Sequence, residues 1–149
     1  MALFEKVNED IKTAMKERNK VALDTLRNIK KVFLEAKTAP GANDTLEDAD
    51  ALKIIQKLAK QGKESAQTYI DAGRQDLADA ELAQVSVIER YLPEQLSEAE
   101  IEKMVKTIID QTGAASMKDM GKVMGMANKQ LAGKADGKTI SGIVKKLLA

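Results

Sequence analysis

Three observations predict an all-α protein in two helical domains, an N-terminal one of about four helices with a long helical hairpin and a small C-terminal one of three. Apolar residues recur every three or four positions along nearly the whole chain, and no stretch alternates with the period of two that a strand requires. Ala, Leu, Ile, Val, Lys, Glu and Gln dominate, while aromatics make up 3% and prolines occur only at positions 40 and 93. Such a composition belongs to helices. Capping and stop signals divide the periodic pattern into seven pieces.

Leu3, Val7, Ile11, Ala14 and Met15 form the apolar stripe of a first helix, predicted over about residues 3 to 18. Asn19-Lys20 interrupts it, and Leu23, Leu26, Ile29, Phe33 and Ala36 line a second helix that Pro40-Gly41 ends. After a loop, Thr45 supplies a capping hydroxyl, and the acids Glu47 and Asp48 follow where the positive end of a helix dipole favours them. A third helix starts there. Its stripe of Leu52, Ile55, Leu58, Ala59, Ala66 and Ile70 predicts about 27 residues and a length near 40 Å, unless Gly62 bends it. Gly73 offers the left-handed residue that commonly ends a helix, and Leu77, Leu82, Val85, Ile88 and Leu92 make a return helix stopped by Pro93. Long helix, tight turn and return helix predict an antiparallel hairpin.

The segment Pro93-Glu94-Gln95-Leu96 reads as the domain boundary, giving domains 1–93 and 94–149. Ser97-Glu98-Ala99-Glu100 has the form of a capping box, and Ile101, Met104, Val105 and Ile108 line a fifth helix up to Gly113. Ser116 to Asp119 caps a sixth, lined by Met120, Val123, Met124, Ala127 and Leu131. Asp136-Gly137 opens a seventh with Ile140, Ile143, Val144, Leu147 and Leu148. Methionines 104, 117, 120, 124 and 126 read as core filler, with a flexible partner groove as the alternative.

Absent residue types restrict the chemistry. Without histidine or cysteine there is no Ser-His-Asp or Cys-His pair, no ordinary zinc site and no thiolate. A self-sufficient enzyme is disfavoured, and neither a catalytic residue, a metal ligand nor a cofactor site is predicted. No run of 18 apolar residues exists, so no membrane span is expected, and the lack of a secretory signal at Met-Ala-Leu-Phe-Glu predicts a cytoplasmic location.

The net charge of +1 hides an uneven distribution. Residues 1–39 carry nine Lys/Arg against six Asp/Glu, residues 40–112 carry eight against fifteen, and residues 113–149 carry seven lysines against Asp119 and Asp136. The last segment, at +5, is suited either to phosphates or to plain solvation. Lys118, Lys122 and Lys129 fall at spacings of four and seven, along one side of the sixth helix, and Lys134 and Lys138 continue the charge beyond it. Gly121 and Gly125, four apart inside that helix, each cost roughly 1 kcal/mol relative to alanine. Close helix packing or close approach of a ligand backbone would explain the pair. Gly133-Lys134-Ala135-Asp136-Gly137-Lys138-Thr139 resembles a phosphate-cradling loop but has one residue too few between its first glycine and Gly137-Lys138-Thr139, with no strand before it. What it does predict is a lysine-flanked turn, with Gly133, Asp136 and Gly137, entering a helix N-terminus.

Four blocks together resemble the GatB/YqeY family, which comprises stand-alone YqeY-like proteins and the tail domain of the GatB subunit of tRNA-dependent amidotransferase. They are Ala72-Gly73-Arg74-Gln75-Asp76-Leu77, Tyr91-Leu92-Pro93-Glu94-Gln95-Leu96-Ser97, Met120-Gly121-Lys122-Val123-Met124-Gly125, and Gly133-Lys134-Ala135-Asp136-Gly137-Lys138. The chain departs from the family at Gln130 and Ala132, where members are usually more basic. The resemblance implies two helical domains and a role near tRNA, as an accessory module that binds it. An alternative is a protein-interaction adaptor for an amidotransferase or aminoacyl-tRNA synthetase. The family label alone would also bring carbon-nitrogen ligase activity with glutamine as amido-N-donor, for which no catalytic residues are visible.

Overall fold

The computed structural model describes residues 2–149. Among them are seven α-helices and no strand: α1 (Leu3–Glu17), α2 (Lys20–Lys37), α3 (Asp48–Asp71), α4 (Gln75–Glu89), α5 (Glu98–Thr112), α6 (Met120–Gln130) and α7 (Gly137–Leu148), with a 3-10 turn at Met117–Asp119 before α6. The all-α expectation is met. No helix is long and apolar enough to cross a membrane among the described residues. The chain divides into two compact units, Met1–Leu92 and Pro93–Ala149.

In the N-terminal unit α1 packs on α2, α2 on α4, and α3 runs back along α4. Ile29, Phe33 and Ile55 are fully buried at the centre, with Val7, Leu26, Val87 and Ile88 around them. Asn19, which the sequence marks only as a break, caps α2 by accepting a hydrogen bond from the Ala22 N–H at 3.1 Å. The cap of α3 differs from expectation. Thr45 donates its hydroxyl back to the Ala42 carbonyl, because Asn43 and Asp44 both adopt positive φ and turn the chain there. Helix α3 therefore starts at Asp48, whose carboxylate accepts the N–H of Leu3 at 3.0 Å and so caps α1. With 24 residues α3 is about 36 Å long, and Gly62 does not interrupt its helical run.

Gly73 ends α3 as predicted, at φ +73°, with the Arg74 N–H reaching back to the Tyr69 carbonyl at 2.8 Å. The hairpin is drawn close at Gly62, where an added Cβ would lie 2.5 Å from Val85 Cγ2. Ala59, Ala66 and Ala78, all buried, continue that narrow seam. Helix α4 ends at Glu89, three residues earlier than expected: Arg90, Tyr91 and Leu92 each bond the carbonyl three residues back in a tighter turn, and Leu92 is the residue that Pro93 disfavours in helical geometry. Three apolar residues assigned to core stripes are exposed instead: Met15 (55%), Ile70 (40%) and Leu82 (39%). Each lies on the flank of a stripe whose central positions the neighbouring helices already cover.

In the C-terminal unit α5, α6 and α7 touch one another pairwise around Val105, Ile108, Val123, Ala127, Leu131, Ile140 and Val144. The capping box forms as read: Ser97 N–H donates to Glu100 Oε2 at 2.9 Å and the Glu100 N–H donates to Ser97 Oγ at 3.2 Å. Met104, Met120, Met124 and Met126 pack against this core, whereas Met117 is exposed on the 3-10 turn.

Candidate nucleic-acid interface

The turn between α6 and α7 is built from the core outward. Leu131 and Ala135 are buried and anchor it, and Gly133 lies between them at φ +75°, a conformation that side chains disfavour. The N–H groups of Lys134 and Ala135 both reach the Leu131 carbonyl, at 2.9 and 3.3 Å. A second segment then locks the turn from outside. Gln95 donates its side-chain amide to the Gly133 carbonyl at 2.6 Å and to the Pro93 carbonyl at 2.9 Å, and the Leu96 N–H donates to the Lys134 carbonyl at 2.9 Å. Residues 93–96, read from sequence as a boundary, are thus also a clamp on the lysine turn. Helical periodicity carries no trace of this, because the clamp is made by a polar side chain in an irregular segment.

With the turn held, Lys134 and Lys138 flank it on exposed positions, and Asp136 begins α7 with its carbonyl accepting the Ile140 N–H at 3.0 Å. Lys122 and Lys129 are exposed on the outer face of α6, two turns apart. Lys118 is also exposed but lies in the 3-10 turn, so the helical spacing that joins it to Lys122 in sequence does not hold in the fold. Asp119 causes the difference: its carboxylate accepts the Ala115 N–H at 3.0 Å and tightens the entry to α6. Among the described residues none of these five lysines is held in an ion pair.

The glycine pair lies on this lysine face. Gly121 and Gly125 are exposed, and a Cβ added at either would meet no atom within 4 Å among the described residues. The packing explanation is therefore corrected, because the buried side of α6 is the one that carries Val123 and Ala127. A glycine that does pack closely is Gly62, which the sequence reading treats only as a bend.

Next to the turn, α5 and α7 wall an open groove of about 420 Å³. Glu98 and Glu102 line one side, Lys138, Thr139 and Lys146 the other, and Asp136 one end. Glu102 is also within 3.5 Å of Lys106 on its own helix. Sequence reading missed Glu98, Glu102 and Lys146 as site residues. Their i, i+4 and i, i+8 spacings look like ordinary solvated helix faces until the two helices are paired.

Against known proteins, the model of the Yqey-like protein family matches residues 4–148. Three similar fungal proteins bear the name Altered inheritance of mitochondria protein 41, mitochondrial. That of Pyrenophora tritici-repentis is 30% identical over 132 residues, covering 87% of this chain and 71% of the relative. That of Meyerozyma guilliermondii is 29% identical, over 86% of this chain and 68% of the relative. That of Vanderwaltozyma polyspora is 25% identical, over 76% and 64%. Their mitochondrial names overturn the cytoplasmic expectation, which rests only on the lack of a secretory signal. Since the family model spans all seven helices and both the Gly73 and Gly133 turns, the chain belongs to the Yqey-like protein family.

Proposed function

We propose that this protein is a tRNA-associated accessory module that holds the RNA backbone on the lysine face of its C-terminal unit. The observation that carries the reading is the set of exposed lysines on α6, the clamped turn and the start of α7, within a segment of net charge +5. Lysine is a point charge on a flexible stem, so such a face addresses phosphates and shape rather than base identity. The open positions of Gly121 and Gly125 between those lysines suit the remaining explanation of the pair, which is close approach of a ligand backbone. The resemblance to the amidotransferase tail points the same way. The compartment that goes with this reading is the mitochondrion in the relatives' names.

The test is binding of unmodified tRNA at low and moderate salt, for the wild type and a folded Lys122→Glu, Lys134→Glu, Lys138→Glu variant. Wild-type affinity should fall steeply with salt, by a slope that reports the phosphates neutralised, and the variant should bind at least about tenfold more weakly. Binding absent in both proteins, or equal in both, would refute the reading. A second reading, an adaptor docking on an amidotransferase or synthetase, draws on the exposed apolar residues Met15 (55%) and Val21 (46%) in the N-terminal unit. A complex that survives nuclease and is lost in a Met15→Ser, Val21→Ser variant would favour it.

A further inference from the structure

We infer that the groove between α5 and α7 takes a ribose-phosphate unit of RNA, with the lysines of α7 on the phosphate and a glutamate of α5 accepting from the ribose 2′-hydroxyl. The inference rests on the RNA reading above and deepens it. A surface for phosphate alone would be basic throughout, yet Glu98 and Glu102 face Lys138 and Lys146 across this groove. Glu102 pairs with Lys106 on its own helix rather than with a lysine of α7, so the charge of the α5 wall is not taken up by the lysines opposite. Bare phosphate would meet repulsion from the α5 wall.

A ribonucleotide unit resolves the conflict. It presents an anion and, a few ångströms away, the 2′-hydroxyl donor, which are the partners that lysine and carboxylate each require. Carboxylate on ribose hydroxyl beside a separate phosphate site is the arrangement that dinucleotide-binding folds also use. The size fits, since about 420 Å³ lies within the range of pockets that hold small ligands. Gly142, in the groove lining, leaves open space where a side chain would project. The 2′-hydroxyl is the group by which a protein tells RNA from DNA, so the carboxylate wall would give RNA selectivity to a lysine face that otherwise has none.

The experiment compares an RNA stem-loop with its 2′-O-methyl form, which keeps the A-form shape and every phosphate but removes the hydroxyl donor. Wild type should bind the unmodified RNA about fivefold more tightly, the worth of one ordinary hydrogen bond. A Glu98→Ala, Glu102→Ala variant should bind both forms equally, and the single Glu102→Ala variant serves if the double does not fold. Equal binding of the two forms by wild type would overturn the inference and leave the RNA reading standing. A preference that persists in the alanine variants would also overturn it, since the added methyl would then be rejected elsewhere. Binding of neither form would bring down the RNA reading itself.

Discussion

In the N-terminal unit the sharpest contact is one of volume: Gly62 of α3 leaves so little room that a single added carbon would sit 2.5 Å from Val85. In the C-terminal unit the sharpest contacts are polar, with Gln95 and the Leu96 N–H holding the carbonyls of Gly133 and Lys134. The difference follows from element length. A 24-residue helix can lie along its neighbour and gain from small residues at the seam, whereas helices of 11 and 12 residues contribute less area and leave more of the structure to their connections. Stability in one unit therefore lies in the helices, and in the other to a greater extent in a turn.

Core truncation should break this comparison most severely. Phe33 is fully buried, and Phe33→Ala should destabilise the N-terminal unit by about 3–5 kcal/mol, read from denaturant unfolding followed by circular dichroism. If the C-terminal unit is an independent domain, a second transition should remain in that variant at its wild-type midpoint.

Tyr91 offers the next largest effect. Its hydroxyl donates to Asp10 at 2.5 Å, and burial first, then that hydrogen bond and the charge of Asp10, push the phenol well above its ordinary value of 10.0. A raised folded value means that the stabilisation is complete below pH about 10 and is lost as pH rises beyond it, because the unfolded chain then releases the proton more readily. Tyr91→Phe should cost about 1.5–3 kcal/mol at neutral pH by leaving the carboxylate without its donor, and should flatten the alkaline fall in stability. Unfolding curves between pH 8 and about 11 check both statements.

Gln95 tests the polar side of the comparison. Gln95→Ala removes two donated bonds and should cost the C-terminal unit about 1–2 kcal/mol, with faster amide exchange at Lys134 and Ala135. Effects no larger, but the cleanest contrast, come from paired glycine substitutions. Gly62→Ala should destabilise, by about 1–2 kcal/mol net, because overpacking against a stiff β-branched valine outweighs the helix preference of alanine. Gly125→Ala enters open space and should stabilise by up to about 1 kcal/mol, seen as a higher melting temperature.

Helix number, the Gly73 and Gly113 ends and the Ser97 capping box were legible in the sequence because each is written in neighbouring residues. The Asp48 cap on α1 was not, since its two partners are 45 positions apart. Nor was the role of the glycines, which depends on which face the partner helix covers. Periodicity places a stripe but does not say where its edges end, and so Met15, Ile70 and Leu82 were assigned inward. At the candidate site the lysines were visible as charge. The clamp that holds the turn at Lys134 and the carboxylates that oppose Lys138 arise only when residues 93–102 are brought beside residues 131–146.

The Asp48 cap also bears on how the chain is made. A ribosome releases Leu3 long before Asp48, so the first turn of α1 spends that interval with one of its free N–H groups open to solvent. Although α1 and α2 can pair as soon as both have emerged, the first turn of α1 gains this cap only when the start of α3 arrives. The first turn of α1 is thus completed later than the rest of that helix. A holdase that grips nascent segments would find that first turn uncapped throughout the window.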